Sequence, residues 1–218
     1  KNLNAPDRER ALSRPGDVEK LISGSFRNYH WVETYYYYGS CALSTAADEL
    51  TSSWGNFGMR DLSSEPRVAW DNSPSYGYED VNAGPWAYLY RALSSVADGL
   101  AILDQGMVIQ NENGVDVTQR AIAWGKFVQG MAHCYLAQMF DQGFIVDETV
   151  DLQGDVPLVP YTDLHAAGMQ KFQDCIDICN SATFTIPDAV GWCNGVEIDQ
   201  DKLKRLCYSY MADRKSTR

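Results

Sequence analysis

The sequence is poor in the residues that carry chemistry. It has three histidines, His30, His133 and His165, and no cysteine pair with CxxC spacing, so a zinc site has no ready ligand set. GxSxG, HExxH, a Walker loop and GxGxxG are all missing, which removes the nucleophile elbow, the metalloprotease helix and the phosphate cradle. His133 beside Cys134 resembles a thiol catalyst only on paper. Adjacent side chains on a helix diverge by about 100°, so a core or groove-lining histidine is the better reading. Asp147, Glu148, Asp151 and Asp155 lack the spacing of an EF-hand loop and read as a solvated acidic stretch. With no convergent acid, base or nucleophile, the expectation is a protein that is not an enzyme and uses no metal or cofactor.

Long apolar runs are also missing. None approaches the roughly 20 residues that cross a bilayer. The opening KNLNAPDRER is polar and charged and does not read as a signal peptide, so the expectation is a cytosolic chain or a processed start. What is present is core-forming material, with 45% hydrophobic and 12% aromatic residues among 218, which excludes a disordered or low-complexity chain. The length suits one large or two small domains, and we read residues 1–218 as a single one. The formal charge is −11. Residues 141–201 hold 12 acids and one base, Lys171, while residues 202–218 hold six bases and one acid. An acidic surface repels phosphate backbones, so nucleic acid is not an expected partner. The basic end reads as a solvated helix face or as half of a contact between copies.

Apolar residues recur at helical period along most of the chain. A helix is expected from 16 to about 48, with a break or continuation near Gly39, and others over 86–104, 118–140, 162–182 and 199–213. Thr118, Thr162 or Asp163, and Asp199 are the expected caps. The fold class is all-α, with tetratricopeptide-like antiparallel helix hairpins and a long aromatic-rich loop. No alternating strand pattern stands out. The six cysteines are Cys41, Cys134, Cys175, Cys179, Cys193 and Cys207. Cys175 and Cys179 share a helix face. An even count permits disulfides in an oxidising compartment, the other reading being small buried apolar residues, and the pairing stays open.

Residues 51–86 form the loop, too long for a plain connection. It carries Trp54, Phe57, Trp70, Tyr76, Tyr78 and Trp86 among Asn, Asp, Gly and Ser. Sugars present C–H faces that stack on rings and hydroxyls that bond amides and carboxylates. Trp54, Asn56, Phe57, Trp70, Tyr76 and Tyr78 are the candidate ligand-binding residues, for a polysaccharide or oligosaccharide.

Several segments, in order, resemble the N-terminal half of the SusD/RagB-type outer-membrane glycan-binding lipoproteins. They are Asn4-Ala5-Pro6-Asp7, the helix from Asp17 to Phe26, Ala47-Asp48-Glu49-Leu50-Thr51, Tyr90-Arg91-Ala92-Leu93 and Phe127-Val128-Gln129-Gly130. Gly154-Asp155-Val156-Pro157-Leu158 follows, and then the helix with Tyr208, Tyr210 and Met211-Ala212, where Asp213 replaces the family's usual Arg. The resemblance implies a non-catalytic cell-surface or extracellular protein of nutrient uptake, partnered by a TonB-dependent transporter. It places Trp54 and Asn56 near a stacking aromatic and an amide. Family members are usually about twice this length. A half-length solenoid leaves a sticky end, so the second expectation is self-association into an extracellular tube or filament.

Overall fold

The computed structural model describes residues 12–216 apart from 36–37, 52, 54, 67–68, 153 and 190, with the side chains of 215–216 also left undescribed. Trp54, Tyr36, Tyr37, the opening segment 4–11 and residues 217–218 thus lie outside the described residues. The chain is mostly helical, as its period predicts.

Helix α1 spans Pro15–Thr34. Pro15 sits at its start, where a missing N–H costs nothing, and Asp17 faces the positive end of the helix dipole. The chain turns extended at Tyr35 and resumes as α2, Gly39–Ala46, so the expected helix to residue 48 is two helices. Gly39 sits at φ +23°, and a Cβ there would stand 2.5 Å from both the Tyr135 hydroxyl and the Val32 carbonyl oxygen, so only glycine lets the turn close.

The loop is shorter than the sequence predicts. A turn of helix, α3, forms at Met59–Leu62, and α4 runs Asp80–Asp104 instead of beginning near residue 86. Pro85 and Gly84 disguised that start. The proline lies inside the helix, where it has no N–H to offer the Val81 carbonyl, and a Cβ on Gly84 would collide with the Tyr38 ring at 2.2 Å.

Helix α5, Thr118–Met139, is the centre of the molecule, packing against α1, α4 and α6. Every residue from Phe127 to Ala137 is buried, so the helix is enclosed on all sides there. Its cap differs from expectation. The Thr118 N–H donates to the Asp116 carboxylate (2.9 Å), while the Thr118 hydroxyl accepts the Ile109 N–H (2.9 Å).

Helix α6 is Tyr161–Ser181, starting after Pro160 with no side-chain cap, so neither Thr162 nor Asp163 fills that role. Helix α7 is Gln200–Ser216, and Asp199 caps it as expected, accepting the Lys202 N–H at 2.7 Å. The residue after Asp213 holds its far end. Arg214 is 8% exposed, lies over the Tyr135 ring and bonds Gln138 and the Tyr29 hydroxyl. Two minimal antiparallel pairs complete the described chain. Strand β1 (Gln142–Phe144) pairs with β2 (Leu158–Pro160) in the register Gly143↔Val159, and β3 (Thr185–Ile186) pairs with β4 (Ile198–Asp199). They are too short to show alternation.

One large core unites α1, α4, α5, α6 and α7. A separate small cluster of Ala42, Met59, Leu62 and Val81 sits under the loop, with Phe57 and Trp70 packed on it. In the large core α5 and α6 approach backbone to backbone. A Cβ on Gly168 would meet the Cys134 sulfur at 2.6 Å and the Gly130 carbonyl oxygen at 3.1 Å. Gly168→Ala is therefore expected to lower the free energy of urea unfolding by roughly 1–3 kcal/mol. Gly24→Ala, with nothing within 4 Å, should raise it by about 0.5–1 kcal/mol. Equal effects would contradict the close α5–α6 approach.

Candidate functional site

The loop before α4 is tied down at several points. The Asp71 carboxylate accepts the Ser73 N–H (2.9 Å), forming a local turn that holds its carboxyl below the usual range. Asn82 on α4 donates its amide to the Asp71 carbonyl (3.1 Å), and the Tyr76 hydroxyl donates to Asp61 on α3 (2.6 Å). Burial and that carboxylate both push the Tyr76 phenol up.

Between this loop and the β1–β2 pair runs a chain of clefts that share walls. The largest, about 640 Å³, lies between Asn72, Trp86, Phe140, Asp141, Gln142 and Tyr161. The next, about 350 Å³, keeps Asn72, Trp86 and Phe140 and adds Glu79 and Asn82. Glu79 then passes into a third of about 470 Å³ with Asn56, Phe57, Tyr78 and Asp80. Trp70 and Tyr76 line a separate cleft of about 350 Å³ with Asp61 and Asp71.

Trp86 is the shared ring. It packs at 4.7 Å on Tyr90 and at 4.9 Å, edge to face, on Phe140. The Tyr90 hydroxyl accepts the Phe144 N–H (2.6 Å) and also lies 3.2 Å from the Phe144 carbonyl, which fixes β1 against α4. Burial pushes the Tyr90 phenol up to about 12, against the opposing pull of the Phe144 bond.

The far wall is held from beneath by a buried polar network. His133 on α5 accepts the Val146 N–H at Nε2 (3.1 Å), so its proton sits on Nδ1 and is donated to the Gln129 carbonyl (2.8 Å). Gln129 donates to Glu148 (2.9 Å), which also pairs with Lys126, and Lys171 on α6 pairs with Asp147 (2.8 Å). Burial raises the Asp147 carboxyl, but the bonds from Lys171 and Thr149 outweigh it and hold the group at about 2. Glu148 is likewise lowered by Lys126 and Gln129 against its burial. Burial drives His133 down to about 4.

The sequence-derived residues thus divide. Asn56, Phe57 and Tyr78 share one cleft, Trp70 and Tyr76 share another, and Trp54 lies outside the described residues. Phe57 and Trp70 also serve the small core, and Tyr78 is 43% exposed. Phe140, Asp141, Gln142 and Tyr161 were missed, because they enter from a segment distant in sequence. Trp86 was visible as a loop aromatic, although it belongs to α4. Rings, amides and carboxylates together offer stacking and hydrogen bonding to a ligand. Among the described residues no group of three His, Cys, Asp or Glu is placed to hold a metal ion, and no helix is long and apolar enough to cross a membrane. The chain matches no protein-family model, no curated protein and no solved structure.

The buried histidine makes the site wall sensitive to acid. Neutral His133 is favoured in the fold, whereas its ordinary value is 6.5, so protons bind the unfolded chain first. The stability it contributes is complete above pH 6.5 and is lost as the pH falls towards 4. Chemical unfolding should show a loss of about 2 kcal/mol between pH 7 and pH 5. His133→Gln, with no proton to gain, should flatten that slope. A slope unchanged in the variant would remove His133 as its source.

Proposed function

We propose that the protein is a non-catalytic glycan-binding module of the cell surface that holds a polysaccharide chain along the clefts between the loop and the β1–β2 pair. The observation that carries this reading is their continuity. Trp86 and Phe140 give stacking faces, and Asn72, Asn82 and Gln142 give amides, on shared walls. The charge narrows the ligand. Glu79, Asp80 and Asp141 line the three connected clefts, and among the described residues no Lys, Arg or His lines them, so an uncharged glycan fits better than a uronate or sulfated one. The SusD/RagB-type resemblance supports the same reading and adds three expectations. The helices form a tetratricopeptide-like scaffold, the protein sits at the outer membrane, and a TonB-dependent transporter receives the glycan.

A second reading, self-assembly into a tube or filament, is favoured by one patch. Trp31, 39% exposed, stacks on Tyr35 at 4.7 Å, and the Arg91 guanidinium lies 5.0 Å over Tyr88 beside them. Trp, Tyr and Arg are the residues that dominate interface energies.

Calorimetric titration against neutral and acidic polysaccharides tests the first reading. Trp86→Ala and the exposed Asn72→Ala should each weaken binding to a neutral glycan roughly tenfold, while Tyr208→Ala on α7 leaves it unchanged. Failure of the parent chain to bind any glycan would sink the proposal. Sedimentation tests the second, and a monomer at every concentration removes it.

A further inference from the structure

Helices α1 and α4 share an outward face that combines rings with bases. Trp31, stacked on Tyr35 at 4.7 Å, lies 6.4 Å from Tyr88, and the Arg91 guanidinium stands 5.0 Å over the Tyr88 ring. Along α1 the exposed Lys20, Arg27, Trp31 and Thr34 fall on one stripe, because steps of seven, four and three residues return to nearly the same helical angle. Among the described residues of α1 the exposed ones include no acid, and Glu19 turns to Arg120 on α5 (2.8 Å).

Helix α6 shows the reverse. Asp163, Gln170, Asp174 and Asp177 lie on one stripe of its outer face, again at steps of seven, four and three. Gln170 donates to Asp174 and Gln173 to Asp177 (both 2.9 Å), which holds two of the carboxylates in place at the surface. Lys171, the one Lys or Arg of α6, turns inward to Asp147 (2.8 Å). Each stripe runs about 21 Å along its helix. The two faces are separate surfaces. Helix α5 packs against α1 and α4 and against α6, and among the described residues α6 makes no extended contact with α1 or α4.

We propose that the ring-and-base face of α1 and α4 seats on the acidic face of α6 in a second copy of this chain. This contact, which rests on the self-assembly reading, gives the exposed patch its cover. Charge selects the occupant. At a net charge of −11 the copies repel each other, and an orientation that sets Lys20, Arg27 and Arg91 against Asp163, Asp174 and Asp177 turns repulsion into attraction. The charges steer and orient the encounter, while Trp31 and its stacked partner supply the contact that holds it. Because unlike faces meet, a docked pair still presents one face of each kind, and the contact repeats into a ring or a filament.

Sedimentation velocity of the full chain over a concentration series is the test. The parent should associate at about 50 mM salt and lose roughly tenfold or more in association at about 500 mM, where the charges are screened. Two variants divide the interface. Trp31→Ala with Arg91→Ala disables the first face, and Asp174→Lys with Asp177→Lys disables the second. None of the four positions is buried, so circular dichroism should match that of the parent. Each variant alone should stay monomeric at concentrations where the parent assembles. An equimolar mixture should form a dimer and nothing larger, since each variant keeps the face that the other lacks. Assembly of the Asp174→Lys, Asp177→Lys variant to the parent's extent, or a mixture that stays monomeric, would overturn the docking and leave self-assembly standing. A parent chain that is monomeric at every concentration would overturn both and leave the patch to a different occupant.

Discussion

The α5 helix is enclosed on all sides between residues 127 and 137, and it brings two hydrogen-bonding side chains, Gln129 and His133, into the centre of the molecule. Water does not reach them, so the chain itself supplies partners. It does so with the segment after β1, whose Val146 N–H and Glu148 carboxylate meet His133 and Gln129. Once there, that segment needs its own acids neutralised, and Lys126 and Lys171 arrive from the two helices it bridges. Removal of any one partner would strand a charge or a dipole where neither is tolerated. These bonds pin the segment after β1 to α5 and α6, with the Gln129 Oε1 atom alone of that side chain left without a partner.

The groove is a by-product of that arrangement. Its far wall, Asp141, Gln142 and Tyr161, flanks the segment that the buried network pins. Its near wall belongs to the loop, tied by Asp71, Tyr76 and Asn82 to α3 and α4. Trp86 stands between them, braced by Tyr90 and Phe140. A ring held by other rings keeps its orientation before a ligand arrives, which lowers the ordering cost of recognition. Among the described residues the same walls carry the carboxylates Glu79, Asp80 and Asp141 and no Lys, Arg or His.

Much of this was legible in the sequence because helical period is a local signal. The spans of α5, α6 and α7 could be read from their apolar spacing, as could Asp199 as a cap. Other features depend on contacts that local patterns do not encode. Gly84 and Pro85 read as loop, yet the glycine is there to admit the Tyr38 ring and the helix runs on through the proline. Thr118 reads as a cap on paper, and the approach of Ile109 takes its hydroxyl for another bond. The loop aromatics could be found by composition. That they would split between two clefts, two of them also packing on a small core, could not, since the opposing wall comes from residues after 139.

The small cluster beneath the loop has a wider meaning. Ala42, Met59, Leu62 and Val81 form an island with no buried member in common with the main core. A void opened there would loosen the footing of α3 and of Phe57 and Trp70 while the helical body kept its own separate core.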